Sequence, residues 1–427
     1  MFQTIKGTFD VLPDTGTSRD SDIPGSAQWL DAEARIREVM RRFNVREIRT
    51  PIFEPTGLIA RGIGALTDVV SKEMFAFERE GVDYVLRPEN TAPVMRAYLQ
   101  HNLAQIGGVQ KLSYIGPFFR AEQPQKGRYR QFHQFGAEYI GSEDPRSDAE
   151  MIALMMAVYE AFGITGMRLR LNTLGSPDSR AAYRDALRQY FAPHVGALTE
   201  TSRQRLDKNP LRLLDTKVEH ERALVAEAPR LTEFVSEDDH AHYGEVKRLL
   251  DGLGIAFVED PLLVRGLDYY TRTTFELESD KLGAQSALAG GGRYDLLAVE
   301  IGAKKPVPAV GFAAGFERLF IALHAEHLAD AQYAAPDVAL VALGERAADW
   351  AFRTAQDLRA AGLAVATDLK GRSMKAQMRE ANRQNAPLVL IVGDHELDQN
   401  EVVLKQMDTG EQRTVADADL IAAIQGI

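Results

Sequence analysis

Apolar positions along the chain alternate between two periods, and the changes of period mark out its elements. Trp29, Ala32, Ile36, Val39, Met40 and Phe43 recur every three or four residues, with Arg35, Arg41 and Arg42 off their face. This predicts a helix opening after Pro24-Gly25, with Ser26 as its N-cap. Val45 to Phe53 predicts a strand with Pro51 near its end. Tyr84 to Leu86 predicts a short strand running into the polar turn Arg87-Pro88-Glu89-Asn90-Thr91, where Thr91 caps a helix from Ala92 to Gln100. From Leu112 to Gly141, aromatic and β-branched ends flank a middle of Gln, Pro, Lys and Gly, the pattern of an antiparallel hairpin with a long tip.

Downstream, Asp148 is expected to cap a helix with Met151, Ile152, Met155 and Tyr159 as core filler. Met167 to Thr173 alternates like a strand. From about Ser179 to Gly254 the pattern is helical and highly charged, broken at Pro210, and predicts an inserted helical subdomain. Leu262 to Glu276 starts apolar and turns polar. Ala287 to Ala289 runs into Gly290-Gly291-Gly292-Arg293, and Ala309 to Leu319 passes from strand to helix. After Glu326 to Pro336, a linker of Ala, Asp and Gln, strands and helices alternate: 337–343, 346–361, 363–367, 373–385 and 387–392. A hairpin around Asp408-Thr409-Gly410 and a last helix follow. The expected class is α/β, with an α+β core at 1–325 (insertion about 179–254), a linker at 326–336 and a small α/β domain at 337–427.

Candidate chemistry concentrates on the hairpin. The period of two puts Arg130, Phe132, Gln134, Gly136 and Glu138 on one face, with Gly136 leaving open space beside a cation, a ring, an amide and a carboxylate. Arg120, Lys126, Arg128 and Arg130 face the lone Glu122, which suits a small polar molecule carrying phosphate. Glu89 and Thr91 can both accept from an ammonium group. Arg265, behind Leu263 and Val264, is a charge that needs an anion. The three glycines permit close backbone approach by a ligand, although no P-loop spacing occurs. Glu237 to His242 reads as a solvated loop rather than a metal site. Lys6-Gly7-Thr8-Phe9-Asp10 reads only as a loop.

Composition limits the classes. The 427 residues are 45% hydrophobic and 26% charged, as in a globular protein of two or three domains. No run approaches the roughly 18 apolar residues of a membrane span. The start has no basic-then-apolar export pattern, and with no cysteine there are no disulfides, which is compatible with the cytoplasm. A net charge of −11 argues against nucleic acid, but binding needs only a local basic surface.

The stretch LSYIGPFFRAEQPQKGRYRQFHQFGAEYIG resembles motif 2 of class II aminoacyl-tRNA synthetases in the form found in histidyl-tRNA synthetases. LLVRGLDYYTRTTFE resembles that group's histidine-specific signature, and AVGFAAGFERL resembles motif 3. The helix, the strand from Val45 to Phe53 and its Pro51, in that order, resemble motif 1, and the region from Asp337 resembles the anticodon-binding domain shared by several class II enzymes. The resemblance implies an antiparallel catalytic sheet flanked by helices, and a homodimer. It implies that Arg120 grips the α-phosphate of ATP, Arg318 the γ-phosphate, and Arg265 both the α-phosphate and the histidine carboxylate. Phe132 would stack on adenine, and Gly290, Gly291 and Arg293 would approach the nucleotide. Glu89, Thr91, Gln134, Glu138, Tyr269 and Tyr270 would bind histidine. Gln125, Lys126, Arg128, Arg372, Lys375 and Arg379 would meet tRNA. The implied activity is histidine–tRNA ligation, with ATP and Mg²⁺ entering together and no metal site built from protein alone. The alternative is a non-catalytic relative that senses histidine in histidine biosynthesis.

Overall fold

The structure is a computed structural model that describes residues 2–13, 23–64, 67–125, 127–214, 216, 218–264, 267, 269–328 and 332–426. Arg265 and Lys126 fall outside these, as does most of the stretch from Thr17 to Gly25. The chain forms two compact units, Met1–Ala331 and Gln332–Ile427.

The first unit is built on an eight-stranded sheet in the order β1-β5-β6-β11-β10-β9-β7-β8. Its strands are β1 (Arg46–Glu47), β5 (Gln110–Phe119), β6 (Gln131–Ile140), β7 (Met167–Thr173), β8 (Phe257–Glu259), β9 (Thr271–Ser279), β10 (Ala287–Arg293) and β11 (Ala309–Gly315). All neighbours are antiparallel except the two edge pairs, β1 with β5 and β7 with β8. A smaller sheet joins β2 (Phe53–Pro55), β4 (Val82–Leu86) and β3 (Phe75–Arg79) in that order. The single strand expected over Val45 to Phe53 is thus two, in different sheets, with Pro51 in the crossing segment.

The hairpin register explains why one face of the main sheet is core and the other is site. In β6, Phe135, Ala137 and Tyr139 point to the side packed by helices Ser26–Arg42, Pro145–Glu160 and Phe316–Ala325, through Trp29, Ile36, Met151, Met155 and Phe316. Phe132, Gln134, Gly136 and Glu138 point the other way, opposite Phe118, Gly116, Tyr114 and Leu112 of β5.

Three local expectations change. Helix Pro145–Glu160 is capped by Asp144, whose carboxylate accepts from the Arg146 N–H at 2.9 Å, with Pro145 in its first turn; Asp148 lies buried inside instead. Glu237 to His242 is no loop but the start of helix Glu237–Gly252, in which Asp239 and His242 are buried. That helix also divides the expected insertion: Tyr243, Val246 and Leu250 belong to the core beneath the sheet, whereas Tyr183, Leu187, Phe191 and Leu213 pack with the cavity side. The insertion proper therefore ends before the helix that leads β7 back to β8.

The second unit has a five-stranded sheet, β13-β12-β14-β15-β16. Its strands are β12 (Val338–Leu343), β13 (Val365–Ala366), β14 (Leu388–Gly393), β15 (Glu401–Gln406) and β16 (Gln412–Ala416). The first three in spatial order are parallel, and the last two form an antiparallel hairpin extension. Helix Glu345–Ala360 buries Ala347, Trp350, Ala351, Ala355 and Leu358 against it. Helix Met374–Arg383 covers the other face with Ala381 and with Gln377, whose amide bonds the backbone of Ala342 in both directions at 3.0 and 2.9 Å.

Candidate active site

A cavity of about 430 Å³ opens on the uncovered face of the hairpin. Phe132 and Gln134 of β6 form part of its floor, Gly290 of β10 and Gly311 of β11 continue it, and Arg120 and Arg318 stand in its wall. Arg120, just past β5, donates from Nε to the Pro88 carbonyl at 3.1 Å and holds its guanidinium 5.2 Å from the Phe132 ring centroid. Arg318, in the first turn of helix Phe316–Ala325, donates to the Ala287 carbonyl at 2.6 Å. Burial, with Arg128 nearby, presses its pKa below the usual arginine value, so an anion there is welcome. The amide oxygen of Gln134 is buried with no hydrogen-bond partner, an acceptor that a bound donor would satisfy.

Glu138 lies almost fully buried beneath this floor. Its carboxyl accepts from the hydroxyls of Thr91 at 2.9 Å, Tyr114 at 3.3 Å and Tyr294 at 2.5 Å. Burial pushes its pKa up to about 8, and the nearby Glu89 adds to this against the three hydroxyl donors. The backbone leaves it no spare room: a Cβ at Gly311, its register partner in β11, would fall 1.7 Å from Oε2. Tyr269 and Tyr270 close the same end of the cavity with ring centroids 4.7 Å apart, and Tyr294 stands 5.6 Å from Tyr269.

Glu89 and Thr91 both line the cavity, but Thr91 does not cap the helix that follows. The Glu89 carboxylate does so, accepting from the N–H groups of Thr91 at 2.6 Å and Ala92 at 3.1 Å. Asn90 turns away, its amide oxygen accepting from the Thr50 hydroxyl at 2.6 Å and from Arg87 at 3.4 Å.

Two nucleotide assignments are corrected by geometry. Gly291 and Arg293 do not line the cavity. A Cβ at Gly291 would meet the Gly311 carbonyl at 2.1 Å and Phe275 at 2.7 Å, so its bareness serves packing. Arg293 is fully buried and donates to Asp148, to Asp295 at 3.1 Å and to the Ser142 carbonyl at 2.8 Å. Burial opposes its charge, but Asp148 and Asp295 more than offset this and hold it above the ordinary arginine value. Removing the cation leaves Asp148 buried and Asp295 without its partner, so Arg293→Met lowers stability by about 3 kcal/mol or more. The urea-unfolding midpoint reads this, and the double variant Arg293→Met/Asp148→Leu recovers only part of the loss, since Asp295 still lacks its cation.

The open space expected beside Gly136 is filled by Tyr114, whose hydroxyl would lie 2.5 Å from a Cβ there. Nothing local in the sequence marks Tyr114 or Tyr294 for this role. Register carried the signal for the first, since Tyr114 pairs directly with Gly136. At the loop, Gln125 and Arg128 exchange backbone bonds at 3.1 and 2.8 Å, and Arg128 pairs with Glu122 at 2.9 Å. In the second unit Arg372 is tied to Asp368 at 2.5 Å, while Lys375 and Arg379 are exposed on helix Met374–Arg383.

Comparison with known proteins meets this geometry at full length. The family model for histidyl-tRNA synthetase matches residues 19–319, and that for the anticodon binding domain matches residues 337–427. A histidine–tRNA ligase of Chloroherpeton thalassium is 50% identical over 427 residues, spanning 99% of this chain and 98% of the relative. The crystal structure of apo S. aureus histidyl-tRNA synthetase is similar with a TM-score of 0.82 at 36% identity, covering all of both chains. A Bacillus halodurans structure titled as an ATP phosphoribosyltransferase regulatory subunit/histidyl-tRNA synthetase has a TM-score of 0.63 at 24% identity, covering 92% of this chain and 98% of that one, and shares the fold alone. By sequence across its whole length and by the arrangement of its sheet, the chain belongs to the histidyl-tRNA synthetase family.

Proposed function

We propose that this protein is a histidine–tRNA ligase that makes histidyl-adenylate from histidine and ATP, then passes the histidyl group to the 3′ end of tRNA(His). The observation carrying this reading is one cavity that gathers Arg120, Arg318, Phe132, Tyr269 and Tyr270 above a buried, hydroxyl-ringed Glu138. In the first step a histidine carboxylate oxygen attacks the α-phosphorus. Its new bond forms as the bond to the β-phosphate oxygen breaks, and pyrophosphate leaves. Charge on the phosphates meets Arg120 and Arg265 at the α-position and Arg318 at the γ-position, while Phe132 stacks on adenine near the Gly290 backbone. ATP brings Mg²⁺ on its phosphates, as is usual for nucleotides.

Glu89, Thr91 and Gln134 take the α-ammonium group, and Glu138, with Tyr269 and Tyr270, takes the imidazole. In the second step a terminal ribose hydroxyl of tRNA attacks the adenylate's carbonyl carbon, and AMP leaves. The substrate supplies both nucleophiles, so no side chain need become one. Gln125, Lys126 and Arg128 face the acceptor end, and Arg372, Lys375 and Arg379 meet tRNA from the second unit.

The enzyme acts as a homodimer in the cytoplasm. Support for the dimer comes from an exposed aromatic face on the small sheet, where Tyr84 lies 5.7 Å from Phe53 and 5.6 Å from Phe77. Among the described residues no helix is long and apolar enough to cross a membrane.

ATP–pyrophosphate exchange, run with each of the twenty amino acids, tests the reading. Exchange with histidine alone, followed by charging of tRNA(His), is the expected result. Histidine binding without any exchange would point instead to the regulatory relative.

A further inference from the structure

The turn at residues 6–9 has no part in the chemistry above, yet it is wedged into the base of the loop that carries Arg128. Gly7 adopts φ +88°, and a Cβ there would come within 2.8 Å of Pro124 and 2.9 Å of the Arg130 side chain. Its carbonyl accepts from the N–H groups of Arg130 at 2.7 Å and Gln131 at 3.3 Å. The turn is closed on itself by Thr8, whose N–H and hydroxyl both donate to the Ile5 carbonyl at 2.9 and 2.7 Å. Arg130 in turn donates to the backbone carbonyls of Glu122 and Lys6, each at 3.4 Å.

Phe9 extends the contact from the loop to the helix of Arg318. Its ring meets Tyr129 edge-on at 4.8 Å and His133 at 6.1 Å. His133 sits 4.8 Å from Trp29, which stacks on Phe316 at 5.2 Å. The N–H of His133 donates to the carboxylate of Glu317 at 2.8 Å, and Glu317 adjoins Arg318. Tyr129, Arg128, Glu317 and Arg318 all line the cavity. One short turn therefore touches the loop and, through a single aromatic cluster, the helix on the far side of the same opening.

We propose that residues 6–9 are a positioning element: they hold the base of the 120–131 loop at a fixed separation from the helix bearing Arg318, and so set the nucleotide end of the cavity. This rests on the reading of that end as the ATP site. A displacement of about 1 Å at such a site is enough to weaken a phosphate grip severely. The histidine end, built on Glu138, Tyr269 and Tyr294, shares none of these contacts.

Gly7→Ala and Phe9→Ala test the inference in the full-length protein. Exchange is measured with ATP varied at saturating histidine, then with histidine varied at saturating ATP. The expected result is a KM for ATP raised about ten-fold with the KM for histidine unchanged. KM does not depend on the fraction of enzyme that is folded, so partial unfolding cannot imitate that split. An unchanged KM for ATP in both variants, or equal rises in both KM values, overturns the proposal. Absence of exchange in the parent protein overturns the ATP reading beneath it, a separate and recognisable failure.

Discussion

Arg120→Ala is expected to lower histidine-dependent pyrophosphate exchange about 10³-fold in kcat/KM, on the scale of other charge-stabilising groups at a phosphoryl centre. The loss should come mainly from kcat, because charge on the α-phosphorus oxygens grows as the carboxylate adds. Stability should change much less than activity. Among the described residues, the Arg120 side chain makes one hydrogen bond, to the Pro88 carbonyl, a weak contact with Glu122 at 3.8 Å and a contact with the Phe132 ring. A hydrogen bond from a charged group is worth roughly 1.5–3 kcal/mol and a ring contact about 0.5–1, or a shift of about 3–6 °C in melting temperature for a chain this long, small beside the loss of rate. Arg120→Lys separates charge from shape. A lysine restores a cation but not the planar fork that can grip two oxygens, so it should recover part of the rate and not all of it. Full activity in Arg120→Ala would remove this residue from the chemistry.

The contrast with Arg293 shows what a sequence discloses about such residues. Both arginines stand in suggestive company, one closing the first strand of the hairpin and the other following three glycines. Only the fold separates them. Arg293 meets Asp148, which lies far off in the chain on a helix that crosses beneath the sheet, and no local pattern marks that meeting. The hairpin itself was legible because its information is local: alternation assigns Phe132, Gln134 and Glu138 to one face whatever the rest of the chain does. What fills that face is not local. Tyr114 occupies the gap at Gly136 because register sets them opposite, and the register is fixed by pairing along the whole hairpin. Capping shows the same limit. Glu89 rather than Thr91 closes the helix, since its longer side chain reaches back to two N–H groups that a hydroxyl would satisfy only singly. Residues 237–242 differ from expectation for another reason: their acids suit solvent, whereas Asp239 is buried to bond the Ser176 N–H at 3.0 Å and the Arg272 guanidinium at 2.9 Å.

Glu138→Gln should make the empty protein more stable and the enzyme worse. The carboxyl is almost wholly buried, and its pKa rises from the ordinary 4.5 to about 8. Between those values the folded chain holds a proton that the unfolded chain has released. Stability therefore falls as pH rises through this window, and the favourable contribution is complete below about 4.5 and lost above about 8. A glutamine, neutral at every pH, removes that slope. Parent and variant should unfold alike near pH 5, and the variant should gain on the parent up to pH 8 by an amount on the order of a few kcal/mol. Urea-unfolding curves between pH 5 and 9 read the difference directly. Activity should move the other way. An imidazole N–H donated to a carboxylate is a charge-assisted bond, worth roughly 1.5–3 kcal/mol, so the KM for histidine should rise about 100-fold while that for ATP stays near the parent value. The rotatable hydroxyls of Thr91, Tyr114 and Tyr294 can accept from the new amide, which keeps the variant folded and its kinetics interpretable. Parallel stability curves across the pH range would mean that Glu138 is charged in the empty site, and that its burial is already balanced by those three hydroxyls.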